Sequence, residues 1–144
     1  MTITDGRSPN SDPSPSGGGI YNELAGALTI TDSTVRVNIA SFGGGLYSVG
    51  DLTLTNSAVS DNFGQGNGGG IVTGGTATIT NSTVSGNIAS ASGGGIFAGG
   101  TLTITNSTVS GNTTSYSNGG GGIFNQGAAT ITNSTVSGNM AGGD

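Results

Sequence analysis

Pairs of threonines set two residues apart are the side chains of this sequence whose spacing could do chemistry. They are Thr29 and Thr31, Thr53 and Thr55, Thr78 and Thr80, Thr103 and Thr105, and Thr130 and Thr132, with Thr2 and Thr4 read as a sixth pair. Residues i and i+2 of a strand point to one face, ~6.7 Å apart. The pairs recur at intervals of about 25 residues, so stacked strands would set them in two parallel files with a rung spacing of ~4.8 Å. The chemistry of such a lattice is recognition of an ordered surface through hydroxyls and methyls. Thr is also simply a good outward residue for a strand. A second candidate file is aromatic: Tyr21, Tyr47, Phe97 and Phe124, with Val72 in the middle position. If the aliphatic residue before each points inward, these point outward, where they could stack sugars or cover a partner.

Catalytic chemistry finds little to work with. The chain has no Lys, His or Cys, and its only cations are Arg7 and Arg36. The acids, Asp5, Asp12, Glu23, Asp32, Asp51, Asp61 and Asp144, are scattered rather than clustered. No His serves as general base, no thiolate serves a metal, and no Gly-Gly-x-Gly-x-Asp calcium repeat is present. Asp32 and Arg36 flank one strand and read as a surface ion pair. The expectation is a protein that is not an enzyme and needs no cofactor or metal. A net charge of −5 with two cations leaves nothing to neutralise phosphates, which argues against nucleic acid. No apolar run approaches the length of a membrane span.

The elements that must position these residues repeat with them. A Gly-Gly-Gly-aliphatic element ends at Ile20, Leu46, Ile71, Ile96 and Ile123, and a Thr-aliphatic-Thr element centres on Ile3, Ile30, Leu54, Ile79, Ile104 and Ile131. A fixed period of this size means stacked units that bury a continuous core together. Within one repeat, Thr76–Thr80 alternates apolar and polar, Asn81 breaks the run, Thr83-Val84-Ser85 is a second strand, and Gly86-Asn87 breaks again. A variable stretch from Ile88 to Ser92 leads to Gly93–Phe97 as the third strand. Three short strands per coil of about 25 residues predict a parallel β-helix of five full coils plus a partial N-terminal one. Expected core ladders are Val35, Val59, Val84, Val109, Val136; Ile30, Leu54, Ile79, Ile104, Ile131; and the five aliphatics of the glycine element.

Asn56, Asn81, Asn106 and Asn133, with Asp32, recur at one turn, and Asn38, Asn62, Asn87, Asn112 and Asn139 at the next. Both sets are expected to form stacked amide ladders. The glycosylation sequons at Asn81, Asn106, Asn112 and Asn133 then follow from the repeat. Gly is abundant, 31 residues, and charged residues are only 6%, but regular apolar spacing argues against disorder. Residues 1–16 read as the partial coil with a Pro/Ser-rich surface loop, and 17–144 as the repeats, in one domain. The N-terminus, Met1-Thr2-Ile3-Thr4-Asp5, lacks the pattern of a signal peptide. The ends carry no cap, which suits head-to-tail stacking on a second copy or a piece of a longer protein.

The run Thr-Val-Ser-Gly-Asn, a short loop, then Gly-Gly-Gly-Ile-aromatic resembles the repeat of bacterial polymorphic outer-membrane proteins. It is also similar to the wider pectate-lyase-like superfamily. The resemblance spans residues 17 to 139. It implies a right-handed coil, export to the cell surface, and an adhesive or passenger role. The Thr lattice itself resembles the Thr-x-Thr face of β-helical ice-binding proteins. Expected partners are thus the chain itself or a surface such as glycan or ice, outside the cell.

Overall fold

A computed structural model describes residues 1–8, 16–23 and 26–142. The expected Pro/Ser-rich loop falls largely outside the described residues, as do Asp12 and Asp144. Among the described residues every element is a β-strand, and every pairing is parallel. The chain is a β-solenoid of about five turns with about 25 residues per turn.

Four sheets run along the stack. The Thr sheet holds Leu28–Thr31, Leu52–Thr55, Ala77–Thr80, Leu102–Thr105 and Ala129–Thr132. The Val sheet holds Thr2–Thr4, Thr34–Arg36, Ala58–Ser60, Thr83–Ser85, Thr108–Ser110 and Thr135–Ser137. A short sheet of two-residue strands follows: Ile39–Ala40, Phe63–Gly64, Ile88–Ala89, Thr113–Thr114 and Met140–Ala141. The aromatic sheet closes each turn with Ile20–Asn22, Leu46–Ser48, Ile71–Thr73, Ile96–Ala98 and Ile123–Asn125.

The three expected strands are present, and the three core ladders pair in the expected register. Leu46, Leu54, Val59, Ile71, Ile79, Val84, Ile96, Ile104 and Val109 lose all contact with solvent. At roughly 2 kcal/mol per buried aliphatic side chain, this packing holds the turns together. The short sheet was expected to be loop. It forms because the preceding Asn does not turn the chain outward. Asn38, Asn87 and Asn112 are fully buried, and each amide bonds along the axis. Asn87 Nδ2 donates to Asn112 Oδ1 (2.9 Å) and to Val59 O (2.9 Å). Asn62 donates in the same way to Asn87 and Val35. The backbone N–H of each Asn donates to the carboxamide one turn on. Pinned this way, the next two residues stay close enough to pair.

The other Asn set behaves differently. Asn56, Asn81, Asn106 and Asn133, with Asp32, are exposed, with φ near +50°. They serve as left-handed corners, a conformation Asn and Asp tolerate, so the expected second amide ladder is replaced by a serine ladder one residue later. The hydroxyls of Ser57, Ser82, Ser107 and Ser134 accept the backbone N–H of the serine one turn below. Each donates to the carbonyl two residues back, as Ser57 does to Thr55 at 2.7 Å.

Ile3 lies against Val35, not Ile30. The first strand therefore belongs to the Val sheet, and Thr2 and Thr4 leave the Thr lattice. Three residues of Thr-aliphatic-Thr fit either sheet. The corner decides, because Gly6 then occupies the place of Asn38 and donates its N–H to Asn38 Oδ1 (2.8 Å).

Candidate recognition faces

The Thr sheet is built by alternation. Its first and third residues enter the core, so the second and fourth must face out. The strands pair in phase, so Thr29, Thr53, Thr78, Thr103 and Thr130 form one file and Thr31, Thr55, Thr80, Thr105 and Thr132 the other. All ten are exposed or half-buried. The lattice thus has five rungs, with the rung and in-strand spacings of any parallel sheet.

This polar surface continues around the corner. Outward from the Val sheet stand Thr34 and Arg36, Ala58 and Ser60, Thr83 and Ser85, Thr108 and Ser110, and Thr135 and Ser137. The last three rungs therefore present the same sequence of groups, Thr, Thr, Asn, Thr, Ser. No charged residue occurs between Asn62 and Gly142. Apart from Asp144 the charged residues lie in the first 61 positions, and Asp32 and Arg36 do not pair as expected. Asp32 sits at its left-handed corner, φ 49°, before the strand begins, and Arg36 stands at the far end of Thr34–Arg36. No ion pair forms between them. Asp51 Oδ1 instead accepts the N–H of Thr76 at 2.8 Å. Among the described residues no three potential metal ligands come together.

The aromatic file also faces out, since Ile20, Leu46, Ile71, Ile96 and Ile123 take the inward positions. Tyr21, Tyr47, Val72, Phe97 and Phe124 pair in register. The rings form two pairs on either side of Val72, which is buried. Tyr21 and Tyr47 are tilted, with centroids 5.6 Å apart. Phe97 and Phe124 are stacked, with centroids 5.3 Å apart, so each spends part of one face on the other. This face and the Thr lattice lie on different sheets and do not form one site.

The short sheet adds a file that sequence reading passed over. Ile39, Phe63, Ile88, Thr113 and Met140 point outward in register, and Ile88 and Met140 are exposed. Each member follows directly on a ladder Asn, but two residues carry no alternation that would mark a strand in the sequence. At the last described rung, Ile131 and Val136 are also exposed, although their equivalents below are buried.

No protein-family model, curated protein or solved structure matches this chain. The solenoid therefore stands on its own sheets and registers, and the likeness to outer-membrane protein repeats stays a likeness of short motifs.

Proposed function

We propose that this chain is a non-enzymatic structural and adhesive solenoid module that acts outside the cell by binding an ordered surface with its Thr sheet. The observation that carries the reading is the pair of in-phase Thr files running through five rungs. A parallel sheet holds those hydroxyls and methyls at fixed spacing before any ligand arrives. Binding therefore requires little further ordering of the protein, the advantage of preorganisation. Absence of charge over the upper three rungs favours a neutral, repetitive surface, with ice as the sharpest instance and a neutral crystalline polysaccharide as the alternative.

Partition of the protein into slowly growing ice and onto crystalline cellulose tests this. Binding to either one, lost in the double variant Thr78→Tyr/Thr103→Tyr and kept in Phe97→Ala/Phe124→Ala, is the expected result. The reverse pattern would transfer recognition to the aromatic file. A protein that stays in solution against both materials would end the reading.

A further inference from the structure

Arg7 breaks the outward file of the short sheet. It bridges Ile39 in parallel, in the place where later rungs carry Phe63 and Ile88. Beside it is a cavity of about 160 Å³ lined by Arg7, Ser8, Ile39, Ala40, Ser41 and Gln65. Three successive rungs contribute to this wall, and backbone hydrogen bonds tie them together. Ser8 N–H donates to Ile39 O (3.2 Å), Ile39 N–H to Gly6 O (2.9 Å), and Gln65 N–H to Ala40 O (2.9 Å). Among the described residues no acid pairs with the Arg7 guanidinium, although Asp5 is only two residues away.

A guanidinium at the edge of a small, partly apolar hollow, with no acid partner among the described residues, is a donor set for an acceptor. Its planar fork suits the paired oxygens of an oxyanion. Two hydroxyls and a carboxamide supply further donors, and Ile39 and Ala40 keep water from one side. The volume is below that of pockets for drug-sized ligands, ~300 Å³ and upward, so only a small group fits. We propose that this cavity binds a small oxyanion, of the carboxylate or sulfate type, through Arg7 with Ser8, Ser41 and Gln65 at its rim. Later rungs cannot repeat the site, because no cation follows Arg36.

Titration of the ¹⁵N-labelled full chain with sodium acetate and with sodium sulfate, at constant ionic strength set with chloride, tests the proposal. Saturable amide shifts confined to Ser8, Ser41, Gln65 and their neighbours are expected. Arg7→Gln should weaken them by at least ~10-fold, the scale of a lost charge-assisted hydrogen bond. Arg36→Gln keeps the cavity intact, removes the same charge elsewhere, and should leave them unchanged. Linear, unsaturable shifts would overturn the site. So would shifts that survive Arg7→Gln, or that fall equally in both variants.

Discussion

Two side chains sit in places their chemistry opposes. Thr73 Oγ1 is buried with no hydrogen-bond partner, in a column where the rungs above and below carry Ala98 and Ser48. Ser48 escapes the same fate by donating to Gly50 O. A buried hydroxyl without a partner is unfavourable by roughly 1–3 kcal/mol, and Val has nearly the same shape. Thr73→Val should therefore raise stability by about 1 kcal/mol in urea unfolding. The matching change on the exposed lattice, Thr78→Val, should alter it by under ~0.5 kcal/mol. Val37 is the second misfit. It is β-branched at φ 57°, at a corner where other rungs use Asp5, Asp61, Gly86, Gly111 and Gly138. The left-handed region is unfavourable for such a residue by roughly 1–2 kcal/mol. Val37→Gly removes that strain while adding backbone entropy to the unfolded chain, so a net gain of about 0.5 kcal/mol is expected. A loss on unfolding would mean that the Val37 side chain packs usefully where it lies.

At the scale of the element, the repeat motif is a set of interlocking ladders, and a single rung cannot change without its neighbours. The third glycine of each Gly-Gly-Gly run faces the amide ladder: a Cβ on Gly70 would come within 2.9 Å of Asn87 Cγ and 2.7 Å of Gly95 O. Gly70→Ala must push the amide out of line, so both Gly70→Ala and Asn87→Ala attack one structure. Asn87→Ala leaves the N–H and Nδ2 of Asn62 without their acceptor, removes the side-chain donor from Val59 O, and takes one of two donors from Asn112 Oδ1, which keeps the backbone N–H of residue 87. A loss of ~3 kcal/mol or more is expected from several buried groups orphaned together. The exposed corner variant Asn81→Gly, at φ 50°, should change stability by only a few tenths of a kcal/mol, because Gly also accepts that conformation. Equal losses at Asn87 and Asn81 would contradict the division between ladder and corner. That division was not legible in the sequence. Both Asn sets recur with the same period, and periodicity reports that a position is equivalent from rung to rung without saying whether it points in or out. The core ladders and the outward direction of the Thr files were legible, because alternation within a strand settles direction; the direction of the aromatic file was left open by the sequence, because an aliphatic and an aromatic side by side can each fill a core. The short sheet was not, since two residues are too few to show an alternation. Thr2–Thr4 was assigned to the wrong sheet for a related reason, its pattern being common to two sheets.

For the whole molecule, a stack of similar turns in contact only with neighbours predicts stability that varies with position along the axis rather than one value throughout. In the third rung, Ile71, Ile79 and Val84 have no exposure, whereas Ile131 and Val136 in the last are nearly half exposed. The end rung rests on one neighbour, so it can open without breaking the rungs beneath. Native-state hydrogen exchange should accordingly be slowest at the amides of 77–89 and fastest at 129–141, with opening free energies that fall over the final two rungs. Added salt should leave the exchange order of the upper rungs unchanged, since no charged residue lies between Asn62 and Gly142 for it to screen. Any salt dependence should stay with the first rungs, where Asp32, Arg36, Asp51 and Asp61 lie. Uniform protection from end to end would show instead that the side-chain ladders couple the rungs into one cooperative unit. In that case a recognition face on the Thr sheet could not loosen at one end while it stayed formed at the other.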